Sequence, residues 1–360
     1  MNATQQLHAL GQSLWLDNIT RALLTDGTLS RYIKDYAVTG LTSNPAIFDQ
    51  AIKNSGCYDE AIARKTDEGK SGEALFFELA LEDLIKAADL FRPVFDATGG
   101  VDGWVSLEIS PLLADDAAGT VNAARRLHAR AQRPNLFIKI PGNRAGLSAI
   151  EETIFAGVPV NITLLFSCEQ YIAAAAAYMR GIERRIGAGL DPQVASVASI
   201  FVSRWDAAVK DKVQAGFHNR LGIAIAMRTY KAYRELLASA RWQKLAAAGA
   251  RPQRLLWAST GIKDAAAPDV LYVEALAAAD TINTIPEKTL LAFVEHGKVT
   301  DVLPVDEGYA EAVIAEFTRE GINDEALAAD LQREGVAAFA GSWKDLMYRI
   351  ASKAGALTHE

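Results

Sequence analysis

The chain has 360 residues, of which 50% are hydrophobic and 22% are charged, and its formal net charge is −7. This length and composition can bury the core of one large domain or of two ordinary ones. The negative charge excludes a general attraction to nucleic acid or anionic membranes, although a local basic pocket can still bind an anion. Because the sequence contains neither a secretory signal pattern nor an apolar run that could span a bilayer, we expect a cytoplasmic protein.

Eight short apolar runs alternate with longer segments along the chain. The runs are SLWLD (13–17), AVTGLTSN (37–44), GWVSLEIS (103–110), LFIKIPG (136–142), VPVNITLLFS (158–167), VASVASIFVSR (194–204), RLLWAST (254–260) and DTINTIP (280–286). Their length and their content of β-branched and aromatic residues are typical of strands that are buried on both faces.

The segments between and after these runs have the apolar spacing of amphipathic helices. Helices are predicted over residues 72–91, 119–132, 169–187 and 221–237, and a further helical segment contains Val209 and Val213. Two more helices follow the eighth run, at about 305–319 and 324–353, before a polar tail. These two helices either cover the mouth of the fold or pack on its side.

Strands that alternate with helices in this way predict parallel βαβ units. At this length we expect a (β/α)8 TIM barrel with additional C-terminal helices, forming a single domain over residues 1–360. An open doubly wound sheet is the alternative. The dinucleotide-binding glycine motif is missing, because Gly99, Gly100 and Gly103 lack its spacing and precede a strand.

Most of the runs contain polar residues at or near their ends, where a barrel places its active site. In chain order these residues are Asp17, Asn44, Glu108, Lys139, Asn161, Thr163, Ser199, Phe201 (an aromatic residue on the same face as Ser199), Arg204, Ser259 and Lys263. Each has an ordinary explanation when taken alone: Asp17 as a helix cap, Asn44 before Pro45 as a turn, or Arg204 as a surface ion pair. The repetition of polar residues at equivalent positions favours a shared site.

Lys139 is the most unusual of these residues, because it lies between Ile138 and Ile140 in a buried run. A closed barrel has no sheet edge for it to protect. We expect Lys139 to have no ion partner and a lowered pKa, which would make it a neutral amine nucleophile that forms a Schiff base with a ketone. Glu108 would donate the proton that expels water, Thr163 would hold that water, and Asp17 would act as the base for carbon–carbon cleavage.

The remaining residues of the set suit a phosphorylated sugar. The amides of Asn44 and Asn161 can bind hydroxyl groups, and Arg204, Ser199 and Lys263 can form an anion site. No metal or other cofactor is expected, because the five histidines lie in helical or terminal stretches and show no ligand pattern. They are His8, His128, His218, His296 and His359.

These motifs together resemble those of the transaldolases. They are LWLDN, TGLTSNPAIF, VSLEIS, NLFIKIPG, VNITLLFS and SIFVSRWD, and they occur in barrel order. The resemblance implies a Schiff-base lysine at Lys139, acid–base chemistry at Asp17, a water-holding pair at Glu108 and Thr163, and a phosphate-binding Arg204. It also implies transfer of dihydroxyacetone from sedoheptulose 7-phosphate to glyceraldehyde 3-phosphate, giving erythrose 4-phosphate and fructose 6-phosphate in the pentose phosphate pathway.

One segment departs from the shorter bacterial transaldolases and resembles a longer bacterial subgroup. Where the shorter enzymes have a second arginine, WASTGIKD supplies Ser259 and Lys263, which leaves the second phosphate ligand open. Two alternative functions also remain open: a fructose-6-phosphate aldolase that releases free dihydroxyacetone, and a non-catalytic sugar-phosphate binding protein. Phe201 favours transfer, because related aldolases tend to have a tyrosine there that could position a water. The oligomeric state, monomer or homodimer, is left open.

Overall fold

A closed barrel of parallel strands forms the centre of the protein. The computed structural model describes residues 1–300, 302–304 and 308–357. The strands of the barrel are β1 (Ser13–Asp17), β2 (Val38–Thr42), β3 (Trp104–Glu108), β4 (Leu136–Pro141), β5 (Val160–Leu165), β6 (Ser196–Phe201), β7 (Arg254–Ala258) and β8 (Thr281–Ile285). Each strand pairs with the next along the chain, and β8 pairs with β1, so the ring is closed. The predicted (β/α)8 TIM barrel with additional C-terminal helices is confirmed.

Helices surround the barrel and extend beyond its last strand. Within the described ranges they are α1 (Ala3–Ala9), α2 (Arg21–Thr25), α3 (Thr28–Tyr36), α4 (Pro45–Lys53), α5 (Asp59–Asp67), α6 (Gly72–Ala97), α7 (Ala117–Ala131), α8 (Arg144–Phe155), α9 (Cys168–Gly187), α10 (Ser203–Val209), α11 (Leu221–Ala238), α12 (Ala240–Ala247), α13 (Leu271–Ala275), α14 (Glu287–His296), α15 (Tyr309–Arg319) and α16 (Asp324–Leu357). Short 3-10 turns occupy Pro111–Leu113, Lys210–Lys212 and Ala215–Phe217.

Aromatic side chains pack together within the barrel below its carboxyl-terminal end. The rings of Trp104 and Phe137 stack with their centres 4.1 Å apart, and the Trp15 ring lies 6.1 Å from that of Phe137. Gly40 makes room for this packing, since a Cβ there would lie 2.5 Å from Trp15 Nε1. Because side chains alternate along a strand, the residue two positions after Trp15 or Phe137 points to the same side, one layer nearer the carboxyl-terminal end.

A charged cluster closes the amino-terminal end of the barrel. The guanidinium of Arg254 donates to Asp102 Oδ1 at 3.3 Å and to Ser13 Oγ at 2.6 Å. It also donates to the carbonyl oxygens of Val101 and Thr281, at 3.1 and 3.0 Å. Both nitrogens at the tip of the guanidinium are therefore engaged by the protein, an arrangement that offsets the cost of burying a charge.

The two C-terminal helices lie in different places. Helix α15 packs on α11 at the side of the barrel, whereas α16 contacts β5, α4 and α5. The side chain of Gln332 in α16 donates to the carbonyl oxygens of Leu164 and Gly142, at 2.9 and 3.3 Å. These carbonyls lie at the carboxyl ends of two strands, so α16 covers part of the barrel mouth.

The predicted helices agree with the observed ones except at a few positions. Val213 is not helical, because α10 ends at Val209 and the chain is extended at Val213 after a single 3-10 turn. The helix predicted at about 305–319 spans Tyr309–Arg319, and residues 305–307 lie outside the described residues. The end of the polar tail, including His359, also lies outside them. No helix within the described ranges has the length and apolar character needed to cross a bilayer.

Candidate active site

A cavity of about 270 Å³ opens at the carboxyl-terminal end of the barrel. Nine of the eleven predicted site residues line it: Asp17, Asn44, Lys139, Thr163, Ser199, Phe201, Arg204, Ser259 and Lys263. The other two, Glu108 and Asn161, are buried and contact members of this group. Residues that are far apart in sequence therefore meet in one site, because they lie at the carboxyl ends of barrel strands or in the loops that follow. We call the expectation that such residues face the active site the strand-end rule.

Lys139 is buried in the wall of the barrel, with 6% of its surface exposed. Its Nζ lies 3.2 Å from Glu108 Oε2 and donates to the carbonyl oxygen of Ser43 at 3.2 Å. The expectation that Lys139 has no ion partner was therefore wrong. The reason is the register, which places Glu108 directly opposite Lys139 on the adjacent strand. Burial raises the pKa of Glu108, and the opposing charge of Lys139 lowers it less.

Asp17 enters the cavity from the end of β1. Its Oδ1 accepts a hydrogen bond from Thr42 Oγ1 at 2.7 Å, and Thr42 Oγ1 lies 2.6 Å from Thr284 Oγ1. Burial raises the pKa of Asp17, opposed by Lys139, Thr42 and Lys263. Asp17 is not the cap of the helix that follows, because the Thr20 hydroxyl takes that role at α2. The ordinary explanation for Asp17 as a helix cap is thus excluded.

Thr163 projects a hydroxyl group that no other described residue engages. Its Oγ1 is buried and has no hydrogen-bond partner among the described residues. The next residue, Leu164, has a φ of 58°, and the register between β5 and β6 shifts between Ile162 and Leu165. Such irregularities re-aim side chains at the end of a strand and are common at functional sites. Thr163 Oγ1 can therefore bind a small polar molecule in the cavity.

Asn161, Ser199 and Asn44 carry the neutral polar groups of the site. Asn161 donates to Ser106 Oγ at 3.0 Å, and its Oδ1 accepts from Ser199 Oγ at 2.8 Å. Asn44 Oδ1 accepts the backbone N–H of Ile47 and caps α4. Asn44 thus serves as a helix cap and as part of the cavity wall, so its ordinary and functional interpretations are both compatible with the structure.

Arg204 lies partly buried at the start of α10, and its guanidinium is held by aromatic rings. The Cζ atom is 5.1 Å from the centre of the Phe201 ring and 5.9 Å from that of Phe339. Burial lowers the pKa of Arg204, with Glu108 and Glu334 opposing this effect. Among the described residues, Arg204 makes no ion pair and donates no hydrogen bond. These residues therefore give no support to the ordinary explanation of Arg204 as part of a surface ion pair. Its N–H groups can therefore bind an anion.

The loop after β7 brings Ser259 and Lys263 to the cavity. Ser259 has a φ of 55°, and its Oγ lies 3.0 Å from Ser203 Oγ. Lys263 is exposed, whereas the neighbouring Asp264 is buried and accepts hydrogen bonds from Lys210 and Asn219, at 3.0 and 3.2 Å. These contacts attach the loop to the segment after α10 and so fix the backbone on which Lys263 stands.

Sequence reasoning missed several residues that line the cavity. The missed residues include Thr42, Thr284, Ala338, Phe339 and Ser342. The strand-end rule that identified Asp17 also applies to Thr42, the last residue of β2, and to Thr284, the last but one of β8. No comparable signal existed for the residues of α16, because their place in the site depends on where a distant helix packs.

Within the described residues, no group of three or more His, Cys, Asp or Glu side chains is arranged to hold a metal ion. The side chains that line the cavity instead include two amines, a carboxylate, hydroxyls, an amide and a guanidinium. This set suits covalent and acid–base chemistry on an oxygen-rich anionic substrate.

Comparisons with known proteins give a consistent result. The family model described as Transaldolase/Fructose-6-phosphate aldolase matches residues 14–350. A protein of Thiobacillus denitrificans named transaldolase is 44% identical over 359 residues, which cover 97% of this chain and 100% of the relative. Transaldolases of Arthrobacter sp. and Frankia alni are 44% and 42% identical and cover 96% and 98% of this chain, matching 95% and 98% of their own lengths.

Proposed function

The chain belongs to the transaldolase/fructose-6-phosphate aldolase family, and we propose that it is a transaldolase whose reactive group is Lys139. It transfers a dihydroxyacetone unit from sedoheptulose 7-phosphate to glyceraldehyde 3-phosphate, within the non-oxidative pentose phosphate pathway. The observation that carries this proposal is a buried lysine paired at 3.2 Å with Glu108 in one cavity with Asp17 and Arg204.

The first step requires a neutral amine at Lys139. Glu108 can take the proton of the ammonium group, because burial raises the pKa of this carboxyl and so favours its protonated form. The amine adds to the ketone carbon of the donor sugar and gives a carbinolamine. Glu108 then returns the proton to the carbinolamine hydroxyl, water leaves, and an iminium remains. The hydroxyl of Thr163, which has no hydrogen-bond partner among the described residues, holds this water.

The second step breaks the carbon–carbon bond next to the iminium. Asp17 removes the proton from the hydroxyl beyond that bond, the aldehyde product leaves, and the electron pair of the bond enters the iminium to form an enamine. The raised pKa of Asp17 suits it to accept this proton and to return it later. The enamine then attacks the acceptor aldehyde, and hydrolysis of the new iminium releases the ketose product.

The phosphate group of each substrate binds at Arg204 and Lys263, which line the same cavity as Lys139. Arg204 offers N–H groups that are unengaged within the described residues, and Lys263 adds a second positive charge. Asn44, Asn161 and Ser199 supply neutral polar groups that bind or position the sugar hydroxyls without competing for the transferred proton.

Phe201 favours transfer over release of free dihydroxyacetone. Its ring packs against Phe166 and beneath the Arg204 guanidinium, with 6% of its surface exposed. A phenyl ring has no hydroxyl that could hold a water against the enamine. The bound three-carbon unit therefore remains in place until an acceptor aldehyde arrives.

The test is borohydride reduction in the presence of fructose 6-phosphate, followed by peptide mapping. We expect one stable adduct, located on Lys139, and product formation that depends on an acceptor aldehyde. An adduct on another lysine would contradict the assignment of Lys139. Dihydroxyacetone released without acceptor would indicate an aldolase, and the absence of any adduct would indicate a binding protein.

A further inference from the structure

Helix α16 is attached to the barrel on both sides of the site. On one side, the Gln332 side chain donates to Leu164 O at 2.9 Å. On the other, Arg349 pairs with Asp49 of α4 at 2.5 Å, and Lys353 pairs with Asp59 of α5. The helix between these attachments is thereby held across part of the mouth, where Ala338, Phe339 and Ser342 line the cavity.

Phe339 is the aromatic residue of α16 that faces Lys139 and Arg204. The centre of its ring lies 5.7 Å from Lys139 Nζ and 5.9 Å from Arg204 Cζ. These distances fall within the range of cation–π attraction. One ring therefore borders both the nucleophile and the proposed phosphate ligand.

Lys139 and Arg204 differ in how much their positions depend on the Phe339 ring. Lys139 has other contacts, to Glu108 and to the carbonyl oxygen of Ser43. Within the described residues, the Arg204 guanidinium makes no hydrogen bond or ion pair, and it packs against the rings of Phe201 and Phe339. An aromatic face attracts a guanidinium plane without using its N–H donors, whereas a carboxylate would occupy them. Holding Arg204 with rings therefore positions it and leaves its donors available for an anion.

Gly335 allows α16 to approach Arg204 closely. A Cβ at this position would lie 3.3 Å from Arg204 Nη1 and 2.9 Å from Leu164 Cδ2. Gly335 precedes Phe339 by four residues, so both lie on the same face of the helix. The close approach of the helix and the position of its ring are thus linked.

We propose that Phe339 is a positioning residue that orients Arg204 for the phosphate group and sets the distance between that phosphate and Lys139. This inference rests on the proposed function and extends it to a residue outside the barrel strands. It implies that the C-terminal helix takes part in selecting phosphorylated substrates.

The test compares two ligands that form the same Schiff base. Borohydride trapping is titrated with fructose 6-phosphate and with dihydroxyacetone, which has no phosphate. For Phe339→Leu we expect the half-saturating concentration of fructose 6-phosphate to rise about threefold to tenfold. The value for dihydroxyacetone should stay within about twofold, because the other contacts of Lys139 remain. Phe339→Tyr keeps the ring and should restore the fructose 6-phosphate value.

Two further variants separate positioning from a general effect on the helix. Tyr348 lies on the same helix and is 77% exposed, so Tyr348→Leu serves as the matched control and should change neither titration. Gly335→Ala keeps Phe339 but places a methyl group against Arg204 and Leu164, and it should also weaken fructose 6-phosphate selectively. This variant provides the measurement should Phe339→Leu fail to fold.

Equal weakening of both ligands in Phe339→Leu, or no change in either, would overturn the proposal. Failure of the tyrosine variant to restore phosphate selectivity would also overturn it. Failure of the proposed function is seen in the wild-type protein instead, as no adduct with either ligand, an adduct on a lysine other than Lys139, or dihydroxyacetone released without an acceptor.

Discussion

Arg254 and Arg204 lie at opposite ends of the same barrel and are treated differently by their surroundings. At the amino-terminal end, the Arg254 guanidinium donates to Asp102, to Ser13 and to two carbonyl oxygens. At the carboxyl-terminal end, Arg204 contacts aromatic rings and has no ion pair among the described residues. The protein engages both tip nitrogens of the first guanidinium, whereas the second has no hydrogen-bond acceptor among the described residues and, in our proposal, binds the phosphate.

The contrast separates a charge that stabilises the fold from a charge that serves the site. A buried donor without a hydrogen-bond partner lowers the stability of the fold. A buried arginine that serves only stability is therefore expected to have its donors paired within the protein. A ligand can supply the missing partner of an unengaged group. We assign Thr163 Oγ1 and the Arg204 guanidinium to this kind, because both lie at the cavity and neither has a hydrogen-bond partner among the described residues. Substitutions at the two ends should therefore have opposite signatures.

The largest effect is expected at the nucleophile. Lys139→Ala should abolish turnover and borohydride trapping, because it removes the amine to which we assign the Schiff base. The variant should remain folded, although removal of the cation leaves Glu108 buried without its partner and costs up to about 3 kcal/mol at neutral pH. The carboxyl in the folded state then holds its proton at higher pH than in the unfolded state, so the stability of the variant should fall as pH rises.

Thermal unfolding of Lys139→Ala at several pH values measures this dependence, and Glu108→Gln in the same background is the control that removes it. A variant that is unfolded at every pH would contradict a functional role for the charge and would place Lys139 with Arg254 among the stabilising residues.

The next largest effect concerns the proton transfer assigned to Asp17. Asp17→Asn should still form the trapped adduct but turn over about 10²- to 10⁴-fold more slowly. In the wild-type enzyme, the base is the ionised form, and burial raises the pKa of Asp17 above its ordinary value of 3.8. Activity should therefore decline, as pH falls, at a higher pH than a solvent-exposed aspartate would produce. A pH–rate profile of kcat measures this limb, and wild-type rates in Asp17→Asn would remove Asp17 from the mechanism.

Arg254→Met tests the amino-terminal end of the barrel, where the protein itself pairs the guanidinium. The substitution keeps an apolar chain but removes four hydrogen bonds and the cation opposite Asp102, so we expect a loss of about 2–4 kcal/mol in the free energy of unfolding. Denaturant unfolding measures the loss. KM for fructose 6-phosphate, determined on the folded fraction, should not change, and a raised KM would show that the two ends are coupled.

Arg204→Met is the matched substitution at the ligand end. Loss of charge-assisted bonds to a phosphate should raise KM for fructose 6-phosphate about 10- to 100-fold, with little change in denaturant midpoint. The free energy of unfolding should be nearly unchanged, because Arg204 makes no ion pair with any described residue. If KM is unchanged, the phosphate binds elsewhere.

The architecture could be read from the sequence because each strand has its own local signature. Each of the eight apolar runs contains one strand of the barrel. Nine of the residues that we predicted from the ends of these runs and the loop after the seventh lie in the cavity wall. The rule works because parallel strands in a barrel all point their carboxyl ends to one side.

Contacts that depend on register or on distant packing could not be read in this way. The pairing of Glu108 with Lys139 requires knowledge of which residue lies opposite on the next strand, and the sequence does not provide that shift. The role of Phe339 requires knowledge of where α16 crosses the barrel. The error at Val213 has a local cause, since four-residue spacing also occurs across a 3-10 turn.

The smallest effect is expected at Lys263, and it sharpens the contrast between the two ends. Lys263 is exposed, so its charge acts through solvent and is screened by salt. Lys263→Ala should raise KM for phosphorylated substrates only about twofold to fivefold, and the difference from wild type should shrink at high ionic strength. Lys263→Arg, which keeps the charge, should retain the wild-type KM. A loss as large as that of Arg204→Met would mean that Lys263 moves from solvent into direct contact with the phosphate when substrate binds.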